Sequence, residues 1–538
     1  MPKAAASPDV IGTDAGGLPI VAWAEMPDPY APRHYSSYEG AKINRLNRDW
    51  IPPHRSGDLA IFDSWFTLTP RVRDLLRNNA TVIGAQAELK TNVIGTGIQT
   101  FADAAIVKDD GTQDAIEDFN DESDYWFEQW AEEEADVEGK LSWQEMQGLA
   151  FGEAAGVGET LLLRCQRNDR NRVVPLCYQV IEPEQLDWTR DRPPDQNGVR
   201  IMRGIEMDSF DRPIAYWLYD TYPWDGFTGW DGKSYRIPAD RVIHPFVKFR
   251  PSQSRGISWY APIVQPARDL DWYIGNELTA AAIGALLTVL VKRATPNRGG
   301  MGLEPDADHF GNELVKLGKG IVGEIGADDD VKIVESNRPN PDAAPFIKLL
   351  QGQCGSAING MTYLGLTGDF TAASYTAARA AFLKDQAKYR VLQSWFARKT
   401  VKPVRREFTR QAIAYDVLRN GPTVNQFNRQ PRRWLGVEAM GPGNQQLDEE
   451  KETDAAGARI RMGMSSGPRE CAKLGLPWKK VQREQAAFMK HADKLGLQYD
   501  FSKGASPPKN GQVGSDPDSG QVPQKVPAGS SSPEEDNV

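Results

Sequence analysis

Residues Thr69 to Ile98 read TPRVRDLLRNNATVIGAQAELKTNVIGTGI, and the fold is decided here. Val72, Leu75 and Leu76 interleave with Arg71, Arg73 and Arg77, a spacing that predicts an amphipathic helix studded with arginine. Asn78-Asn79 follows. Val82, Ile83, Ala85, Ala87 and Leu89 then continue at near-helical spacing, and Gly95 and Gly97 suit a sharp exit turn. Upstream, the helical reading reaches back to Tyr38 and is interrupted at Pro52-Pro53.

The chain around this stretch has 538 residues, too many for one compact core, so several domains are expected. With 40% apolar and 25% charged residues, its composition is that of a folded soluble protein. Cys165, Cys177, Cys354 and Cys471 form no CxxC pair, which argues against a disulfide framework and a structural zinc site and fits synthesis in a reducing cytosol. The N-terminus shows no basic-then-apolar leader. The most apolar run, Leu278–Val291, spans 14 residues, short for a bilayer and expected as a buried helix. A net charge of −10 speaks against a static grip on DNA, which draws on basic patches and counterion release, but not against a surface along which DNA slides.

Along the chain, residues 1–37 are rich in Pro, Ala and Gly and read as a flexible arm. Residues 109–139 hold fourteen Asp or Glu and no Lys or Arg, with Phe119, Trp126, Phe127 and Trp130 at helical spacing: an acidic outer face on an aromatic-anchored helix. Ser142 and Glu145 form a capping box. Residues 157–250 are β-rich, with Phe210-Asp211-Arg212-Pro213 as a turn. Ser258, within RGISWYAP, is the expected N-cap of a long helix that tolerates Pro262 in its first turn. Residues 295–341 read as a small α+β insertion with an acidic tip, Asp328-Asp329-Asp330.

Phe346, Leu349, Leu350, Cys354, Ile358 and Met361 give a one-faced helix, after which GMTYLGLTG breaks the pattern. From about 377 to 418 the reading is again helical, about 70 Å long if continuous, with Pro403 forcing a kink. Its basic residues, among them Lys399, Lys402, Arg405 and Arg406, face only Glu407, which leaves two readings open: a solvated or subunit-contacting face, or a face toward DNA. Helices are expected near Gln446, near Pro468 and over Trp478–Leu495, and a disordered tail from about 501.

No string here makes a case for catalysis, a cofactor or a metal. Gly318–Gly323 is formally GxGxxG, but the Glu, Gly and Asp residues after it cannot open the helix a dinucleotide site needs. Gly463–Gly467 is formally GxSxG, but it follows a helix, not a strand, and reads as a helix end and turn. The five histidines are scattered.

Several strings together resemble the lambda-type portal proteins of tailed phages. TPRVRDLLRNN with NVIGTGI is similar to the family's RARxLxRNN and NVVGxGI; IEPEQLD, GIEMDSFDRPIAYW, RVIHPF and RGISWYAP have counterparts in order; and DFTAASYTAAR resembles DxSxxNYSSxR. Ser374 replaces the family's Asn there, Thr376-Ala377 its Ser pair, and Glu449–Glu452 stands where Asp-Pro is usual. The resemblance covers roughly residues 38–497. It implies an α+β subunit of a closed ring of about twelve copies, whose cyclic symmetry needs two different complementary faces.

By the same resemblance, residues 38–257 form a wing, 258–294 and 342–361 two stem helices, 295–341 a clip, 362–376 a tunnel loop, 377–418 the long kinked helix and 419–500 a crown. Leu364, Thr367, Asp369, Thr371, Ser374 and Tyr375 would line a DNA channel, and Asp328–Asp330 would face the terminase and later the head–tail adaptor. The implied partners are double-stranded DNA, the large terminase subunit, the adaptor, and the major capsid and scaffold proteins, with no membrane. The implied place is the portal vertex of a virion assembled in a bacterial cytoplasm. The implied role is mechanical: head assembly, packaging, retention and ejection of the genome. A nucleotide-dependent enzyme built on Gly318–Gly323, or a non-portal adaptor, are the rival readings.

Overall fold

The computed structural model describes residues 10–13, 19–21, 39–43, 45–107, 113–169, 171–226, 229–285, 289–292, 306–307, 313–314, 322–325, 343–443 and 448–497. The fold mixes helix and sheet, in line with the expected α+β class. The quoted stretch forms two helices, α1 (Gly57–Asn78) and α2 (Ala80–Val93), not one. Asn79 makes the break. Its backbone is extended, and its side chain accepts the Val82 N–H (2.9 Å), capping α2. Its Nδ2 donates to the Ala267 carbonyl (3.1 Å) and the Asp271 carboxylate (2.6 Å), so a buried cap residue also ties α2 to α5 (Val264–Ala285). Gly95 and Gly97 carry the exit turn at φ +54° and +110°.

The acidic segment forms α3 (Glu117–Glu133), and Ser142 opens α4 (Trp143–Gly156) with the expected capping box. The β-rich region makes two antiparallel sheets. In one, Ser234–Pro238, Pro213–Tyr219, Ile205–Met207 and Arg200–Met202 lie side by side in that order. In the other, Leu161–Gln166 is flanked by Val242–Ile243 and Leu176–Ile181. The expected turn is present, with Asp211 at φ +62°.

Then come α6 (Ala343–Ala357), α7 (Tyr363–Thr367), α8 (Tyr375–Phe396) and α9 (Lys402–Ala414). The short helices α10 (Val424–Arg429) and α11 (Pro431–Trp434) precede α12 (Glu449–Arg461), α13 (Gly467–Lys473) and α14 (Trp478–Lys494). The last three match the expected C-terminal helices. The kink expected at Pro403 takes the form of a π-helical turn, Ala397–Val401, between α8 and α9. Proline lacks an N–H and crowds the carbonyl four residues back, and a widened turn relieves both.

Other expectations fail: among the described residues from 39 to 56 the helical reading is met only by a 3-10 turn, Glu39–Ala41, and α1 begins at Gly57. Ser258 does not cap an α-helix: its Oγ accepts the Tyr260 N–H (3.0 Å) and a 3-10 turn, Ala261–Ile263, precedes α5. Pro262 sits in that turn, where its missing N–H costs nothing. The apolar run Leu278–Val291 is not one buried helix. Leu278 is 66% exposed, α5 ends at Ala285, and Val289–Lys292 is a strand. Among the described residues, no helix is long and apolar enough to cross a membrane. The expected arm is described only at Val10–Thr13 and Pro19–Val21, which pair antiparallel. The expected tail lies outside the described residues.

The main core joins Val72, Val82, Ala85 and Leu89 of α1 and α2 to Trp130, Trp143, Phe151, Phe396, Val404 and Phe408. Each valine, leucine or phenylalanine among them contributes about 1.5–3 kcal/mol on leaving water. Charge crosses this packing at several points, Arg73 and Glu159 among them. Arg73 on α1 binds Glu184 (2.5 Å) and Glu153 on α4 (3.0 Å). Burial alone would lower the Arg73 pKa, but the Glu184 hydrogen bond and the two carboxylate charges raise it.

A second such point is Glu159, with no exposed surface. One oxygen accepts from Arg255 Nε (2.8 Å) and Nη2 (2.5 Å), the other from the Gly256 N–H (2.6 Å), and His244 Nε2 lies 2.9 Å away. The Arg255 guanidinium in turn stacks 3.7 Å over Trp188. Gly158 and Gly256 let the chains meet: a Cβ on Gly256 would lie 2.2 Å from the Gly158 carbonyl oxygen, and Gly158 itself has φ +109°. The glycine of RGIS is therefore a close-approach residue.

Burial pushes the Glu159 carboxyl up, but Arg255 and His244 outweigh it and bring its pKa down to about 2. A carboxylate with a depressed folded-state pKa lends stability above its unfolded value, about 4.3. That stability is lost as pH falls from there through 2. Glu159→Gln should therefore lower unfolding free energy at neutral pH by about 3–5 kcal/mol, because it strands Arg255. Its deficit against wild type should shrink as acid titrates the native carboxylate. Urea denaturation of both proteins at neutral and acid pH checks this; a deficit that does not depend on pH would rule the account out.

Candidate functional site

The expected tunnel loop is built on α7. Thr362 caps that helix, its Oγ1 accepting the Gly365 N–H (3.1 Å), and Gly368 ends it in the left-handed region. Thr362 is itself held from α8. Its N–H and hydroxyl donate to the buried Asp385 carboxylate at 3.0 and 2.5 Å. Residue 365 must be small, since a Cβ there would lie 2.5 Å from Asp385 Oδ2.

Beyond α7, Asp369 is the hub. It accepts from Lys348 Nζ of α6 (2.9 Å), from the Tyr363 hydroxyl (3.0 Å), and from the Thr371 N–H (3.2 Å) and hydroxyl. The Thr371 hydroxyl and Lys348 hold its carboxyl well below the usual carboxylate range. Ser374 then caps α8, accepting the Ala377 N–H (3.2 Å). Leu364, Thr367, Asp369, Thr371, Ser374 and Tyr375 thus fall on one short helix-and-turn segment. Thr371, Ser374 and Tyr375 are exposed, and Leu364, Thr367 and Asp369 are half-buried. Lys348, Thr362 and Asp385 were not foreseen. Lys348 lies inside an apolar helical pattern, and nothing local says what it reaches.

The basic stretch does not hold together as a surface. Arg405 is fully buried: it binds Asp124 (2.6 Å) and the Ser123 carbonyl and hydroxyl (both 3.1 Å), with its guanidinium 4.4 Å from the Phe127 ring. The expectation that it contacts DNA or a neighbouring subunit is therefore corrected. Arg405 lies at a helix position turned into the core, where Asp124 of the acidic segment meets it. Lys399 and Arg406 are exposed, and Arg406 Nε donates to the Leu435 carbonyl (3.2 Å). Lys402 lines a cleft of about 620 Å³ with Asp124, Glu438 and Trp478. The acidic segment has further basic partners within the chain: Arg483 pairs with Asp121, and Lys480 with Glu128 at 3.7 Å.

Asp328, Asp329 and Asp330 lie outside the described residues, as do Gly318–Ile321. The last two residues of that glycine motif, Val322 and Gly323, lie in a strand, Val322–Ile325, parallel to Val289–Lys292. A dinucleotide fingerprint would put them in a turn that opens a helix. Gly463, at φ +70°, ends the turn after α12, as expected.

A family profile described as "Phage portal protein, lambda family" matches residues 44–393. The chain belongs to that family. The "Probable portal protein" of Halomonas phage phiHAP-1 is 27% identical over 473 residues, covering 87% of this chain and 89% of that one. Portal protein B of Escherichia phage lambda is 20% identical over 484 residues, covering 84% and 89%. A solved chain in the neck of the native GTA particle, computed with C12 symmetry, is 15% identical and covers 76% of this chain and 95% of that one. Its TM-score of 0.35 is too low to bear on function.

In this portal protein the matched region takes in α1 to α8 almost entire, and with them the loop and its anchors. Two variants separate structural from surface roles in its basic stretch. Arg405→Ala should cost about 3–5 kcal/mol of stability by leaving Asp124 without its buried partner. Arg406→Ala should stay within about 0.5 kcal/mol of wild type, as exposed positions do. Denaturant midpoints of the two proteins decide it, and equal losses would show that Arg405 is not the buried anchor described.

Proposed function

We propose that the chain is one subunit of a closed ring of about twelve copies at a single capsid vertex, through which genomic DNA enters and leaves. In this reading the ring nucleates head assembly with the major capsid and scaffold proteins. It docks the large terminase subunit during packaging and joins the head–tail adaptor afterwards. The region 38–257 forms the wing, α5 and α6 the stem, 295–341 with Asp328–Asp330 the clip, and 419–500 the crown. The subunit itself hydrolyses nothing.

The observation that carries the reading is the charge state of the loop. Asp369 is the sole ionisable acid or base between Leu364 and Tyr375, and Lys348 neutralises it. DNA sliding past such a segment meets threonine and serine hydroxyls, the exposed Phe370 and Tyr375, and no net charge to hold a phosphate or repel it. Support for a ring comes from apolar surface the single subunit leaves bare. Trp272 on α5 is 72% exposed and Leu349 on α6 59%, although α5 and α6 pack on each other through Tyr273 and Phe346, with ring centroids 5.3 Å apart. Neighbouring copies would cover these side chains.

Electron microscopy of the purified full chain tests the assembly. Rings of about twelve with an axial hole are expected, and Trp272→Glu should give folded subunits that no longer close. Unaltered rings from that variant would remove α5 from the interface. The loop is tested by packaging. Thr371→Lys with Ala372→Lys should slow DNA translocation, and added salt should relieve the defect, because phosphate–lysine attraction is screened over about 10 Å at 0.1 M salt. A packaging rate equal to wild type at low salt would mean that the loop does not face DNA.

A further inference from the structure

Two of the four cysteines stand opposite each other. The strands Leu161–Gln166 and Leu176–Ile181 run antiparallel with Cys165 in register with Cys177. Directly opposed residues of an antiparallel pair share a face of the sheet. The Arg167 N–H donates to the Pro175 carbonyl (2.8 Å), so 167/175 is a hydrogen-bonded pair. Such pairs recur every second residue, which makes 165/177 one as well, with Cα atoms about 5.5 Å apart. A disulfide accepts Cα separations of about 4.4–6.8 Å. The backbone is therefore already at bonding distance. The Cβ atoms of a hydrogen-bonded pair lie toward the wide end of about 4.5–5.5 Å, against about 3.5–4.5 Å in a disulfide, so the strands must pinch by about 1 Å or more to close the bond.

We propose that Cys165 and Cys177 are a redox modification site, forming a reversible disulfide across this hairpin on exposure to a low-molecular-weight disulfide. Cys165 is half-buried and Cys177 has no exposed surface, which sets the order of events. The Cys165 thiolate attacks one sulfur of the small disulfide, forming a mixed disulfide and expelling one thiolate. The Cys177 thiolate then attacks Cys165 Sγ, forming the cross-strand bond and expelling the second. Two protein thiols are oxidised, the small disulfide is reduced to two thiols, and two protons pass from the protein thiols to the released thiolates.

Burial raises both cysteine pKa values, with Cys177 at about 11, so both groups rest as thiols near neutrality and exchange is slow there. The pinch required of the strands strains the bond, and strained disulfides are the easily reduced ones. A reducing cytosol keeps the pair as thiols. Outside it, the bond closes and ties the central strand of the three-stranded sheet, which begins just after Glu159, to its edge strand Leu176–Ile181.

The test uses the full chain and oxidised glutathione at about pH 8.5, where thiolate is more abundant. The reaction is quenched in acid, and the denatured protein is alkylated with N-ethylmaleimide and mapped by mass spectrometry. Wild type should lose two hydrogens, give a peptide joining residues 165 and 177, and melt a few degrees higher than when reduced. Cys177→Ser should instead retain glutathione on Cys165, because the second thiol is missing. Cys165→Ser, at the less buried position, should show no cross-link, and its melting point should no longer respond to reductant. Glutathione retained on Cys165 in wild type, or alkylation of both cysteines after full exposure, would overturn the proposal.

Discussion

A carboxylate cut off from water survives only where the fold supplies cations and donors in its place. Glu159 meets that requirement with groups from two distant segments, His244 on one and Arg255 and Gly256 on the other. Its position fixes where Leu161–Gln166 begins, where Val242–Ile243 ends, and where the chain turns toward α5. Replacing such a cluster by apolar residues often costs nothing, whereas breaking one partner costs several kcal/mol. Its contribution is therefore to geometry more than to net stability. Arg255 has one partner arrangement that satisfies it, between Glu159 and the Trp188 ring, and the segments that hold those partners must meet in one way.

Features set by a few neighbouring residues were legible in the sequence. The capping box at Ser142, the turn at Asp211, the strands of 157–250 and the C-terminal helices all depend on chemistry within one turn or one strand. Features set by distant partners were not legible. The break at Asn79 looked like part of one helix: its cap on the Val82 N–H is local, but the bonds that tie it to α5 go to Ala267 and Asp271. Arg405 looked like surface because charge in a basic run normally is, and only the packed fold brings Asp124 and Phe127 to it. Lys348 carried no signal for Asp369, since the two are joined by a bend between α6 and α7 that periodicity does not describe.

One reading of the basic segment was a face that contacts a neighbouring subunit. Within the subunit, Arg405 takes Asp124, Arg483 takes Asp121, and Glu407 is shared between Arg164 at 2.8 Å and Arg410. Part of the charge of both signs holds α3 to α9 and α14. In the proposed ring, the bare apolar side chains on α5 and α6 would serve the contacts between copies. Such contacts tolerate changes of salt better than exposed ion pairs, which are screened.

In the proposed channel, the neutrality of the loop is not a property of the loop. Its one anion is cancelled by a lysine on α6, and its capping threonine is held by a carboxylate on α8. A shift of α6 relative to α8 would stretch the Lys348–Asp369 pair before it disturbed α7, because the Asp385 carboxylate that holds Thr362 is buried and the Lys348 side chain is half-exposed. The first effect of such a shift would be electrostatic: an uncovered carboxylate facing the duplex and a freed lysine beside it. Helix placement and phosphate contact are thereby coupled through a single ion pair, and the coupling needs no change in the loop's backbone.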